Sequence, residues 1–215
     1  MGDLREIVNA TLYQSRTGCQ WDYLPHDLLR WQAREKHRRS ADPSLVVLDT
    51  QSVHAAAGVP SDTTGRDAGK KVPGRKRGLA VDVLGLVIAV VVLAASVHDN
   101  AAGIVLLDRL TAATPPGSVR TASVDQGFKN AVVDHGAALG IDVKLVERNP
   151  ADRGFVPQPK RWVVEQTYGI LAWHRRLVRD YEHRPASSES RVYWAMSDVM
   201  ARRLTGTSSI SWRGV

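Results

Sequence analysis

From Val83 to Val97 the chain runs fifteen residues without a charge, rich in Val, Leu and Ala and broken by Gly85 and Ser96. No other stretch limits the possible folds as much. It is shorter than the roughly 20 apolar residues that a membrane-spanning helix needs. Its β-branched content favours extended chain over helix. Arg77 to Leu86 alternates as a strand should, Gly85 marks a turn, and Val87 to Ala95 reads as a second, buried strand. The chain therefore has an antiparallel hairpin near its middle, and that hairpin needs a sheet to join.

The flanking segments supply the sheet. Ser44 to Leu48 is a compact apolar run that ends in Asp49, and Val119 to Val124 is a strand that ends in Asp125. Ile141 to Val146 reads as a further strand. Helices are expected from Asp99-Asn100 through Leu110, over Lys129 to Leu139, over Lys160 to Arg179 and over Ser188 to Leu204. Residues 55–78, rich in Gly, Thr and bases, read as a surface loop, and Pro115-Pro116-Gly117 as another. Upstream, Leu4, Ile7, Val8, Thr11 and Leu12 recur at helical spacing, and the basic segment 27–39 closes at Asp42-Pro43-Ser44. A hairpin after the first strand, followed by βαβ crossovers, gives a mixed α/β sheet with helices packed on it.

Composition narrows the partners. The 215 residues carry 29 Lys plus Arg against 22 Asp plus Glu, a formal charge of +7. Most of the bases are Arg, whose planar fork suits phosphate. A polyanion partner fits this balance. A single cysteine, Cys19, excludes an internal disulfide and a Cys-rich zinc module. The first residues lack the apolar core of a secretory signal, so a cytoplasmic protein with no membrane segment is expected.

Three carboxylates stand out by position. Asp49 and Asp125 end strands, where α/β folds place their sites. Glu165 lies in the basic helix on a face shared with Arg161, Gly169, Ala172, Arg176 and Arg179, away from Val163, Ile170, Trp173 and Leu177. Oxygen-only ligand sets suit Mg²⁺ or Mn²⁺, and two such ions can clamp an in-line phosphoryl displacement. The plainer alternatives are a turn residue or cap for each Asp and a surface ion pair for the Glu. Asp82, Asp99 and Asp142 compete for the same roles, although Asp99 reads better as a helix cap. Trp162, Trp173, Trp194 and Tyr168 read as core packing rather than stacking platforms.

The blocks that carry these acids resemble a known family. Val47-Leu48-Asp49-Thr50-Gln51-Ser52-Val53, then Gly69 to Arg77, Val81 to Leu86 and Ala94 to Asp99, are similar to the first catalytic block of DDE transposases from bacterial insertion sequences. Asp125-Gln126-Gly127-Phe128 resembles the second. Trp162 to Thr167, Trp173 to Leu177 and Asp180-Tyr181-Glu182 resemble the third, and the resemblance runs in order from about Arg5 to Leu204. It implies a ribonuclease-H-like fold, with Asp49, Asp125 and Glu165 as catalytic residues and metal ligands for two Mg²⁺ (or Mn²⁺) ions. It further implies cleavage at the element's terminal inverted repeats and strand transfer into target double-stranded DNA, by a homo-oligomer.

The basic residues take their expected roles from the same resemblance. Lys70, Lys71, Arg75, Lys76 and Arg77 in a phosphate-contacting loop, with Arg161, Arg175 and Arg176 beside Glu165, are the expected DNA contacts. Arg161 matches an arginine that family members commonly keep. Gln158, Gln166 and Ala172 stand where many members have Tyr, Arg and Lys. The expected division is a shortened helical DNA-binding region over 1–43, a catalytic domain over 44–206 and a tail over 207–215. The short front leaves an alternative, a truncated remnant that binds DNA without recombining it.

Overall fold

The computed structural model describes residues 26–146 and 162–207. The helical reading of residues 4–12, the surroundings of Cys19, Arg161 with Gln158, and the tail from 208 lie outside the described residues. Contacts divide the chain into two units, residues 42–192, and 1–41 with 193–215. In the second unit, helix α1 (His26–Lys36) meets the end of the long helix α5 (Pro185–Thr205). Lys36 Nζ donates there to the carbonyls of Arg203 and Leu204 at 2.7 and 3.0 Å. The last carbonyls of a helix have no partner within it, and an ammonium satisfies both geometry and dipole.

The unit of residues 42–192 is built on a six-stranded mixed sheet. Strand β1 (Leu45–His54) is central. On one side it pairs antiparallel with β3 (Pro73–Asp82), whose far edge carries both the two-residue β2 (Gly65–Arg66) and β4 (Val87–Ala94). On the other side it pairs parallel with β5 (Thr121–Val124), which pairs parallel with β6 (Asp142–Leu145). A hairpin followed by parallel strands reached through helical crossovers is the ribonuclease-H-like arrangement, a mixed sheet flanked by helices.

The β3–β4 turn shows how the sequence sets an element. Gly85 adopts φ +72°, which glycine tolerates without a Cβ clash. Asp82 Oδ1 accepts the amides of Leu84 and Leu86, both at 2.9 Å. This fully buried carboxylate is committed to the turn and drops out as a site candidate.

Alternation along β1 sorts its residues between two helical layers. Val46 and Leu48 pack with Leu106, Leu107 and Leu110 of helix α2 (Asp99–Ala112) and Val132 of helix α3 (Asn130–Ala138). Val47 and Asp49 point to the other face, where helix α4 (Trp162–Ala172) lies against β1 and β3. Helix α4 buries Val163, Val164, Thr167, Tyr168 and Leu171. Its Thr167 hydroxyl donates to the carbonyl of Gly85 at 3.2 Å.

Three sequence expectations change. Residues 55–78 are not one loop, because β1 runs on to His54 and β3 begins at Pro73, with His54 opposite Gly74. The polar composition of Thr50 to His54 hides a strand whose Thr50 and Ser52 hydroxyls, on one face, bond to Asp99 and Asp67. The helix expected to reach Arg179 stops at Ala172, and a 3₁₀ turn follows over Arg175–Leu177. The third change concerns the tryptophans: Trp162, Trp173 and Trp194 are 48%, 46% and 37% exposed, whereas Tyr168 is buried as expected.

Candidate active site

Asp49 lies within β1 rather than at its end, half-buried, with Leu79 of β3 as its antiparallel partner. The parallel ladder to β5 ends at Val47 opposite Ser123. Asp49 and Asp125 are each two residues beyond that last pair, so alternation puts both on the α4 face at the same level of adjacent strands. Asp49 Oδ1 accepts the amide of Thr50 at 2.7 Å. Asp125 Oδ1 accepts the amide of Gly127 at 2.8 Å and starts a tight turn.

That turn explains the Asp-x-Gly-aromatic block. A Cβ at Gly127 would lie 3.0 Å from Asp125 Oδ1 and 3.3 Å from Asp99 Oδ2. Phe128 is 1% exposed and anchors the turn in the core, against Gly103 of α2. The acid caps the turn, the glycine leaves room for two carboxylates, and the ring fixes its height.

Glu165 comes from α4, exposed and turned from the helix's apolar stripe. One turn further on, Tyr168 fixes that helix to the strands. Its hydroxyl lies 2.9 Å from the carbonyl oxygens of both Asp49 and Arg77. Burial first, and then the Asp49 charge, raise the Tyr168 pKa well above the ordinary phenol value, so the group stays a neutral donor. Helix α4 is thus held by the backbone of the residue that carries the first acid.

The donor chemistry fits a hard divalent cation, since all three acids offer only oxygen. The register brings Asp49 and Asp125 together. Glu165 is brought to the adjoining helix face, but among the described residues no three His, Cys, Asp or Glu side chains are gathered closely enough to hold a metal ion.

The basic run is split by β-alternation. Lys70 and Lys71 are exposed on the β2–β3 hairpin, as a phosphate contact requires. Arg75, Lys76 and Arg77 are 0%, 5% and 1% exposed, so the expectation that they contact DNA is corrected. Arg75 donates to Asp180, to the carbonyls of Thr63, Glu182 and His183, and to the Thr63 hydroxyl. Arg77 Nη1 donates to the carbonyl of Leu177 at 3.3 Å, and burial lowers the pKa of its guanidinium. Both arginines clamp the chain that follows α4. Lys76 points to the opposite face and pairs with Asp99 at 2.7 Å. Arg175 and Arg176 are exposed on the 3₁₀ turn, and Arg176 pairs with Glu182 at 2.9 Å over the ring of Tyr181.

The hairpin that presents Lys70 and Lys71 is built on Asp67. Its Oδ1 accepts the amides of Gly69 and Lys70 at 2.9 and 2.8 Å, and its Oδ2 accepts the Ser52 hydroxyl. The Ser52 bond, then the Lys70 amide, hold its pKa at about 2 despite burial. A shallow depression lined by Arg66, Asp67, Ala68 and Lys71 opens beside it.

Sequence reasoning missed Asp99 as more than a cap. The α2 cap is His98, whose Nδ1 accepts the Asn100 amide at 3.2 Å. Burial would raise the Asp99 pKa, but hydrogen bonds from Lys76 and Thr50, with the charges of Lys76 and Lys70, bring it below the usual value. The signal was present: Asp99-Asn100 offers two capping-type residues where one is needed. Asp142, the remaining competitor, is exposed and pairs with Lys144.

Asp49 and Asp125 lie at one level of adjacent parallel strands, and the helix that carries Glu165 packs on the same face of this ribonuclease-H-like mixed sheet. The profile of the family described as Transposase DDE domain matches residues 40–196, and the chain belongs to that family. No curated protein matches. The chain is similar to the catalytic core domain of BIV integrase, at 17% identity and a TM-score of 0.43, over 71% of this chain and 80% of that one. It is also similar to a chain of the Mos1 strand transfer complex, at 16% identity and a TM-score of 0.31, over 84% of this chain and 62% of that one. Among the described residues no helix is long and apolar enough to cross a membrane.

Proposed function

We propose that this chain is a metal-dependent transposase that cleaves DNA at its element's terminal inverted repeats and joins the freed end to target DNA. The observation that supports this best is the placement of Asp49 and Asp125 at one level of adjacent parallel strands. Helix α4, which bears Glu165, is bound to the Asp49 carbonyl through Tyr168. Asp49, Asp125 and Glu165 would hold the Mg²⁺ or Mn²⁺, which when bound stabilises charge on the phosphoryl oxygens and activates the attacking oxygen.

The chain's own residues prepare the rest. The Thr50 and Gly127 amides fix one oxygen of each Asp. Lys70 and Lys71 with Arg175, Arg176 and Arg161 receive the DNA backbone, neutralising phosphates and releasing counterions. Hydrolysis at the element end breaks one P–O bond and frees a 3′-hydroxyl. That oxygen then displaces another in the target phosphodiester, and the count of P–O bonds is conserved. Such chemistry needs positioning and charge stabilisation rather than a covalent protein nucleophile. The active form is a homo-oligomer that gathers two DNA ends in the cytoplasm.

The test is Mg²⁺-dependent nicking and strand transfer on cognate ends, with Asp49→Ala, Asp125→Ala and Glu165→Ala as comparisons. Each variant is expected to fall to background; cleavage by all three at the parent rate would sink the assignment. A second reading is a remnant that binds DNA without cutting it. Salt-dependent DNA binding with no nicking under Mg²⁺ or Mn²⁺ would select it.

A further inference from the structure

One polar cluster reaches both strand acids from behind. Asp99 Oδ1 accepts the Thr50 hydroxyl and the Lys76 ammonium, each at 2.7 Å. Thr50 follows Asp49, and its amide holds Asp49 Oδ1. The other oxygen of Asp99, Oδ2, lies near Gly127, where a Cβ would come 3.3 Å from it and 3.0 Å from Asp125 Oδ1, a tight fit on both sides. The neighbouring Asn100 accepts the Lys129 amide, so the first turn of α2 is bonded to the turn after Asp125 at Lys129 and lies beside it at Gly127.

Two ordinary explanations leave this arrangement unexplained. The α2 cap is His98, so Asp99 is not needed for capping. A plain surface ion pair does not fit either, because the Lys76 side chain is only 6% exposed while that of Asp99 is 35% exposed, a half-buried pair. Replacing a buried ion pair by well-packed apolar side chains is often neutral or stabilising, so such a pair is weak evidence of a stabilising role. Its value lies in direction: a charged hydrogen bond fixes an oxygen more sharply than packing does.

We propose that Lys76 and Asp99 form a positioning pair for the catalytic carboxylates. Lys76 orients Asp99, one oxygen of Asp99 fixes Thr50 and through it the Asp49 segment, and the other sets the height of the turn that carries Asp125. Neither residue touches the reacting atoms. This rests on the proposed function, in which Asp49 and Asp125 hold a divalent ion, and it assigns a task to two residues outside the DDE set.

The experiment measures Mn²⁺ binding to the full chain without DNA, by electron paramagnetic resonance, alongside cleavage kinetics and thermal unfolding. The variants are Asp99→Asn, Lys76→Met and Thr50→Val, with Thr50→Ser as the conservative control. Asp99→Asn and Thr50→Val are expected to weaken Mn²⁺ binding by about 10- to 100-fold, the usual cost of losing a partner behind a metal ligand. The kcat should fall in parallel, the KM for DNA should hold, and Thr50→Ser should restore both. Thr50→Val removes one hydroxyl and no charge, so it decides the matter if Asp99→Asn or Lys76→Met unfolds. If Asp49→Ala and Asp125→Ala abolish Mn²⁺ binding while Thr50→Val and Asp99→Asn bind it like the parent, the positioning pair is overturned and the metal reading stands. If Asp49→Ala and Asp125→Ala also bind like the parent, the metal reading falls and the pair with it.

Discussion

Residues 66–71 and 75–77 each carry three bases, and by composition they form one cationic tract. The first set stands in solvent on a hairpin, and the second is sealed inside the sheet. The difference comes from backbone geometry, not charge. Once Pro73 starts a strand, successive side chains must alternate between two covered faces, and Arg75, Lys76 and Arg77 go inward in turn. A basic tract therefore marks a DNA surface only where the chain is not paired on both sides.

The sharpest way to break that comparison is to remove the best-bonded of the buried cations. Arg75→Met takes the bonded guanidinium from Asp180, itself 1% exposed and otherwise held by the Ser188 hydroxyl and the Glu182 amide, and should cost about 3–5 kcal/mol in urea unfolding. A stable Arg75→Met would show that the clamp is not structural. Arg77→Met should cost much less, about 1 kcal/mol. Its Nε and Nη2 have no partner among the described residues, so only the bond to the Leu177 carbonyl disappears. Equal costs for the two would erase the distinction between fully and partly bonded guanidinium groups.

Acid should then probe the hairpin. The Asp67 pKa is depressed to about 2 from 3.8, so its contribution is present above pH ~4 and lost as pH falls toward 2. Melting temperatures at pH ~4.5 and ~2.5 should separate more for the parent than for Asp67→Asn, and equal separations would deny the carboxylate that role. The smallest effect on stability belongs to the exposed pair. Lys70→Ala with Lys71→Ala should change unfolding by no more than about 0.5 kcal/mol. The same change should reduce the slope of log K against log salt by about 1 for each phosphate that is no longer neutralised. A slope that does not move would remove the hairpin from the DNA footprint.

Much of the fold was legible because its strands are apolar and its turns have characteristic residues. Gly85 and the run from Val87 marked the hairpin, and Pro115-Pro116-Gly117 separated α2 from β5. The half of β1 from Thr50 to His54 was not legible, since a strand whose polar side chains bond to Asp99 and Asp67 has no hydrophobic period. The end of α4 was missed for a related reason. Residues 173–179 look helical locally, but Arg75 and Arg77, about a hundred positions earlier, hold the returning chain by its carbonyls. Which element carries each of the three acids was readable, although Asp49 lies within β1 rather than at its end. What joins those elements was not, because Tyr168 acts through main-chain oxygens and Lys76 through a residue 23 positions away.

The clamp on the chain after α4 also bears on synthesis. Arg75 and Arg77 leave the ribosome long before Leu177, Asp180 and His183 exist to receive them. For that interval they are hydrated cations next to Leu79-Ala80-Val81, where an otherwise apolar nascent strand would be a template for other chains. The same two side chains thus act as gatekeepers while the protein is unfinished, and become its internal fastening only when the last third of the unit arrives.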